Sequence, residues 1–245
     1  MVLGRGSLHI IDMSEIDVDF KVFSDTPSGK DPDQHSPTLR RYHQLLWSKP
    51  LPSGHEFSLD LSKPRLLYHN STLGEFKLSS DSIGHTYRDV KKMSHITSQV
   101  SRDFVNHAWN HLSTIGGYII FPANQINRKP TINAARGINH QIQDRFDLTL
   151  ECIRLFYENK KSPLWETFCR YESWFKLFSD FRGFVDHFLL QDTVSPDYKY
   201  IDFWHPFTEF NYTPLPPDVI SYEAYINKVS DFVSLRNLRI LKLSF

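Results

Sequence analysis

Apolar residues recur at helical spacing through residues 142–157, where Ile142, Phe146, Leu150, Ile153 and Tyr157 share one face of the helix they predict. Asp144, Asp147 and Glu151 fall on the opposite side at i, i+3 and i+7, yet Leu148 and Leu155 stand among them. The helix is therefore apolar nearly all round. Carboxylates on such a helix need partners, because an isolated buried charge costs several kcal/mol. Arg136, Arg145 and Arg154 are the cations close in sequence. The pattern predicts either an ion-pair network that clamps the chain or the floor of a site.

The same reading organises the rest of the chain. Residues 16–23 alternate apolar and polar with a period of two and predict a strand, followed by a polar, Pro-rich linker over 24–37 that is expected to be mobile. A short helix is predicted over 39–47, stopped by Pro50 and Pro52. Short strands are predicted over 57–61, 65–69 and 76–79, with Ser80, Asp81 and Ser82 as a polar capping turn. One long helix is expected over 87–112, ended by Gly116-Gly117, before the buried strand YIIF at 118–121. Residues 124–136 read as an ordered polar loop, and helices follow over 142–159, 163–178, 181–192 and 222–241. Between the last two, 195–218 holds five prolines with many aromatics and reads as an extended strap. The predicted class is α+β, a small N-terminal strand set packed on a mainly helical C-terminal body. The expected division is 1–37, strand and mobile linker, and 38–245, a single globular domain.

Composition changes this picture little. Hydrophobic residues are 40% and charged residues 23% of the 245, ordinary for a globular protein, while aromatics reach 14%. The formal net charge is zero, without the basic excess that holding long nucleic acid through many phosphates requires. Acids stand in the first twenty residues where a signal peptide needs an apolar run, and no window approaches the roughly 18 apolar residues of a membrane span. The expectation is a cytoplasmic protein with no membrane partner. Cys152 and Cys169 both sit in apolar helical patterns and read as reduced core thiols.

Several runs taken together carry a resemblance: LLWSKPLPSG at 45–54, FKLSSDSI at 76–83, TIGGYIIFP at 114–122, INAARG at 132–137, DRFDLTLECIR at 144–154 and GFVDHFLLQD at 183–192. As a set, over about residues 39–240, they resemble a family of bacterial and phage-associated proteins classed only as a domain of unknown function. The resemblance implies a bacterial or mobile-element origin and a single-domain unit, and it implies no activity.

The leading candidate site is Asp144, Asp147, Glu151 and Arg136 as catalytic groups, with Asn133 and Arg145 as substrate-binding groups. Such carboxylates can hold Mg²⁺ for phosphate chemistry or orient arginines that grip a phosphate. The competing reading is a structural network tying 124–137 to the helix. A second candidate is a strand-end group of His69, Ser79 and Asp81, a distant Ser–His–Asp arrangement without the GxSxG elbow. His107 and His111, four apart after Asp103, read as surface histidines and not as a metal site. The R-x4-H matches at Arg102–His107 and Arg182–His187 occur as often as chance allows. No metal or cofactor is assigned. The functional expectation is an enzyme acting on a phosphate-bearing substrate, a nucleotide or RNA, in a phage-defence or toxin-like setting. The alternative is a catalytically inert module that binds a protein partner and whose acid–arginine cluster is architecture.

Overall fold

Alternation along residues 74–82 builds the longest strand among the described residues. Phe76, Leu78 and Ser80 turn inward while Lys77, Ser79 and Asp81 stay half-buried, in the computed structural model, which describes residues 16–210 and 214–243. This strand, β2 (Gly74–Ser82), is flanked by β1 (Leu67–Ser71) and β3 (Tyr118–Pro122) in one antiparallel sheet of order β1-β2-β3. Its first half pairs with β1, from Gly74 opposite Ser71 to Leu78 opposite Leu67, and its second half pairs with β3, from Leu78 opposite Pro122 to Ser82 opposite Tyr118. Beyond Leu78, therefore, β2 has a partner on one side only. That open edge positions everything that follows.

The helices are α1 (Pro32–His35), α2 (Pro37–Trp47), α3 (Ser94–Thr97), α4 (Arg102–Leu112), α5 (Ile132–Ile138) and α6 (Phe146–Tyr157). They continue as α7 (Trp165–Arg170), α8 (Glu172–Lys176), α9 (Phe181–His187) and α10 (Val219–Leu243). The class is α+β, with the strands packed on a helical C-terminal body. The core is aromatic: Trp174, Phe175, Phe178, Phe184 and Phe188 are all buried, and the Phe184–Phe188 and Phe178–Phe188 ring centroids stand 4.9 and 5.2 Å apart. Through α10 run Tyr222, Tyr225, Ile226, Val229, Phe232 and Val233, all buried. Arg236 from the same helix is fully enclosed and donates to the carbonyls of Phe188, Gly116 and Tyr118 at 3.1, 2.8 and 2.6 Å, which pins α10 to the start of β3. Among the described residues, no helix is long and apolar enough to cross a membrane.

Several expectations are corrected by local chemistry. No strand forms over residues 16–23; Asp17 accepts from the Asp19 amide at 2.9 Å and turns the chain. The first fifteen residues of the expected strand-and-linker segment lie outside the described residues. The linker stretch carries α1, whose N-cap Asp31 accepts from Asp33 N, and Asp25 ties it down by accepting from Ser36 Oγ at 2.6 Å and Thr38 N at 2.9 Å. Over 57–61 only Asp60 bridges, exchanging hydrogen bonds with Tyr68. The long helix expected over 87–112 is broken, because Ser101 caps a new start by accepting from Phe104 N at 3.1 Å. The polar triplet at 80–82 continues β2 instead of turning, and residues 132–138 form α5, capped by Thr131. Cys169 is exposed, since Thr167 and Phe168 take the buried side of α7; Cys152 is buried as expected.

Candidate functional site

Where β2 loses β1 as a neighbour, α1 and the first turn of α5 close over its edge and leave an open cleft of about 380 Å³. Its walls include Asp31 and Asp33 from α1, Arg65 at the rim, Ser79, Ser80 and Asp81 from β2, and Asn133 from α5. This volume lies within the roughly 300–1,000 Å³ of small-molecule sites. Asn133 holds the α5 wall to the strand by donating to the Ser80 carbonyl at 3.3 Å.

Behind the cleft sits Arg136, fully buried. It ion-pairs with Asp81, stands 3.3 Å from Asp144 Oδ1, and donates to Thr149 Oγ1 at 3.0 Å and to the Ser82 carbonyl at 3.4 Å. Asp144 is not on the helix its spacing predicted. Gln143 and Asp144 adopt left-handed backbone conformations, φ 47° and 63°, and this turn swings the Asp144 carboxylate back toward Arg136 and to 2.9 Å from His85 Nε2. An aspartate tolerates such a conformation better than most residues because its short polar side chain bonds locally.

The carboxyls around this one guanidinium are tuned apart. Burial pushes Asp81 up to about 6 despite the charge of Arg136, and the neighbouring Asp144 adds to the rise. Burial would raise Asp144 too, but Arg136 and then His85 outweigh it and hold it at about 2. Burial alone would lower His85; its hydrogen bond to Asp144 and the charge of that carboxylate raise it instead. Asp33 lies well above the ordinary carboxylate range, first through burial and then through facing Asp81 and Asp31, while a hydrogen bond from Ser80 opposes the rise. Asp33 thus resists ionisation beside the charges of Asp81 and Asp31. Among the described residues, no group of three or more His, Cys, Asp or Glu is arranged to hold a metal ion.

The predicted site residues divide into four places. Arg136, Asp144, Asp81, Ser79 and Asn133 come together at the cleft and its back wall, so parts of the two expected groups merge into one. Asp147 and Arg145 form a separate pair with no exposure on either side chain. There Arg145 Nε reaches Asp147 Oδ1 at 3.1 Å, Asp147 Oδ2 accepts from the Trp204 amide at 2.9 Å, and Arg145 also donates to the Pro214 and His205 carbonyls at 2.6 and 2.8 Å. Glu151 pairs with Arg154 at 2.7 Å on the outer side of α6. His69 is buried elsewhere, stacked 4.1 Å from Phe57 with Nε2 at 2.7 Å from Ser71 Oγ. It shares the sheet with Ser79 and Asp81 but not the cleft, because it pairs with Phe76 at the other end of β2. Sequence reasoning missed Asp33 and His85. The only signal for Asp33 was a capped DPDQH turn inside a stretch that otherwise reads as linker.

The model of DUF6994, a family of unknown function, matches residues 16–240. The chain belongs to this family. No curated protein and no solved structure matches it. Membership therefore brings a family boundary that encloses α1, the sheet, α5 and α6, and it brings no activity with it.

Proposed function

We propose that the protein is an enzyme that performs general acid–base chemistry in the cleft beside β2, with Asp81 as the base and Asp33 as the acid. One observation carries this reading: the Asp81 carboxyl, in contact with a buried guanidinium, is still pushed up to about 6 in the wall of an open cavity. A group that titrates near ambient pH is suited to accepting a proton in a reaction and returning it. Arg136 stabilises the ionised form of Asp81 directly, whereas Asp33 faces the charges of Asp81 and Asp31, so Asp33 is the carboxyl that keeps its proton.

The substrate we assign is phosphate-bearing, a nucleotide or an RNA end. Arg136 and Arg145 are committed to carboxylates and carbonyls, so the phosphate contact falls to Arg65, exposed at the rim of the cleft. The bacterial defence or toxin-like setting rests on the family resemblance. A second reading, an inert protein-binding module, is favoured by the α6 acids, since Asp147 and Glu151 are each satisfied within the fold.

The test is turnover of a nucleotide and short-RNA panel followed by mass spectrometry, with wild type, Asp81→Asn, Asp33→Asn and Arg65→Ala, beside a growth assay on expression. The expected result is loss of turnover in both aspartate variants with cooperative melting retained, and a raised KM in Arg65→Ala. Full activity in Asp81→Asn refutes the acid–base assignment. A wild type that turns over nothing and leaves growth unchanged supports the inert module.

A further inference from the structure

The runs LLWSKPLPSG and GFVDHFLLQD, far apart in sequence, meet at a second cavity of about 450 Å³, which shares no lining residue with the cleft beside β2. The segment after α2, from Lys49 to Pro52, forms one wall, and α9 with its N-cap Asp180 forms the other. Both walls are firm. Two prolines fix the backbone of the first, and Leu51 N donates to the His55 carbonyl at 2.9 Å. A Cβ at Gly183 would come within 3.1 Å of Pro52 Cγ, so α9 packs closely on the proline turn. The volume is again that of a small-molecule site.

Lys49 brings an amine without a counter-ion to this cavity. Nζ donates to the His187 carbonyl at 2.8 Å, and among the described residues no carboxylate stands within ion-pair distance of it. The two acids of the lining are engaged elsewhere. Asp180 accepts from Gly183 N at 2.7 Å, while Asp186 accepts from the Tyr198 hydroxyl at 2.7 Å and Gln191 Nε2 at 3.0 Å. Behind the amine, the buried Trp47 ring carries Lys49 Nζ at 5.2 Å and the Arg236 guanidinium at 5.6 Å. Two cations thus share one aromatic ring with no carboxylate between them. Burial, and then the Arg236 charge, bring Lys49 from its ordinary value down to about 8. A carbonyl accepts from an amine N–H as it does from an ammonium, so losing the proton leaves the contact with His187 in place. Desolvation beside a second cation is what makes a lysine nucleophilic near neutral pH.

We infer that Lys49 is a covalent site for a small aldehyde or ketone that carries an acid group, with Arg182 as the anchor of that group. The neutral amine attacks the carbonyl carbon. A C–N bond forms as the carbonyl π pair moves to oxygen, which takes up a proton while the nitrogen releases one. The carbinolamine then loses its hydroxyl, together with a second proton from nitrogen, as water, and an imine remains. Water is the only product released, and no oxidant or reductant takes part. Arg182 suits the anchoring role because its side chain is 69% exposed on the lining and stands 3.5 Å from Asp186, a loose pair that an incoming acid group can replace. His187 cannot share that role, since burial and the charge of Lys49 hold its ring neutral. The site is independent of the acid–base reading of Asp81.

The test incubates the full chain at about pH 7 with glyoxylate, an anionic aldehyde, or with formaldehyde, an uncharged one. Cyanoborohydride reduces each imine to a stable amine, and mass spectrometry maps the labelled lysines. Both reagents should label Lys49 more than about tenfold faster than the exposed Lys176 and Lys199, because a group at about 8 is roughly one-tenth free amine at this pH, against fewer than about one in a thousand for an ordinary lysine. Arg182→Gln should slow glyoxylate labelling of Lys49 severalfold and leave formaldehyde labelling unchanged. Lys49→Arg should remove the fast label while the slow labelling of the surface lysines continues. Where Lys49→Arg fails to fold, the wild-type map and Arg182→Gln decide the matter. A Lys49 labelled no faster than Lys176 overturns the covalent site, and glyoxylate labelling untouched in Arg182→Gln overturns the anchored acid group. Asp81→Asn should label as wild type does, so failure at the cleft and failure here are told apart.

Discussion

Replacing Asp147 with Asn should cost more stability than any other substitution among the acids of α6. The carboxylate and its arginine partner both have no solvent exposure. Asp147 accepts from Arg145 through both oxygens and from the Trp204 amide, while Arg145 also holds the carbonyls of His205 and Pro214. An asparagine keeps the shape and one carbonyl but turns an N–H₂ toward a guanidinium that has lost its counter-charge. Removing one partner of a buried pair costs about 3–5 kcal/mol. At about 2–4 °C per kcal/mol for a chain of this length, the melting temperature should fall by roughly 6–20 °C. The loss should be local in origin: hydrogen exchange in the strap around 203–207 should quicken before the aromatic core exchanges. Melting followed by circular dichroism, with urea titration at constant m-value, measures the cost. Asp147→Leu with Arg145→Met should recover most of it, because a buried ion pair replaced by apolar side chains of similar volume is often close to neutral. An Asp147→Asn protein within 1 kcal/mol of wild type would refute the claim that this pair is architecture and return it to the candidate site.

The two carboxyls that share Arg136 should show opposite pH signatures. Asp81 is raised to about 6, so the folded state retains a proton that the unfolded chain releases; its contribution is favourable at low pH and is lost as pH climbs from about 4 through 6, by about 3 kcal/mol. Asp81→Asn should therefore flatten the decline of melting temperature between pH 4 and pH 7.5; a decline identical to wild type counts against the assignment. His85 is also raised, and its contribution is lost in the same direction at higher pH, so His85→Gln serves as the control that separates the two. Asp144 is held at about 2, so its contribution is present above pH 4 and disappears as pH falls toward 2. Asp144→Asn should cost about 2–3 kcal/mol at pH 7, with the difference from wild type closing in acid denaturation between pH 4 and pH 2; a constant gap at every pH would show that the loss comes from the backbone turn and not from the charge.

Much of the fold was legible because its signals are local. The YIIF run, the α2 helix between Ser36 and the prolines, and the amphipathic α10 each declare themselves within one or two turns of chain. The breaks in the helices were less legible. A serine inside an apolar periodic stretch is compatible with continuing the helix or with capping a new one, and the spacing does not show that Ser101 caps by accepting from Phe104 N. Asp144 was misplaced for a related reason. A period of 3.6 extended backward from α6 includes it, but Arg145 has an extended backbone at the N-cap, and the helix begins at Phe146.

The site divides along the same line between local and distant information. The burial of Asp147 followed from its apolar neighbours, Glu151 is only half-buried, and both meet arginines. What helix periodicity cannot express is which acid stays sealed and which borders open space. Asp147 and its partner Arg145 are closed off because residues far along the chain bind them, Trp204 the carboxylate and Pro214 the guanidinium. Asp81 stays open because β1 starts at Leu67 and has no residue left to pair beyond Leu78. Two strands of unequal length thus create the vacancy, and a four-residue helix from a Pro-rich stretch supplies the second carboxyl to it. The difference matters for function because an enclosed pair can be satisfied by protein groups alone and so can serve stability. A carboxyl at an unfinished strand edge, tuned to about 6 and facing a cavity, is held in a state that costs the fold energy near neutral pH. Asp81 is therefore the residue at which stability and chemistry pull apart: its substitution relieves a buried carboxylate but strips the buried Arg136 of its ion-pair partner, and it is the one expected to abolish the activity.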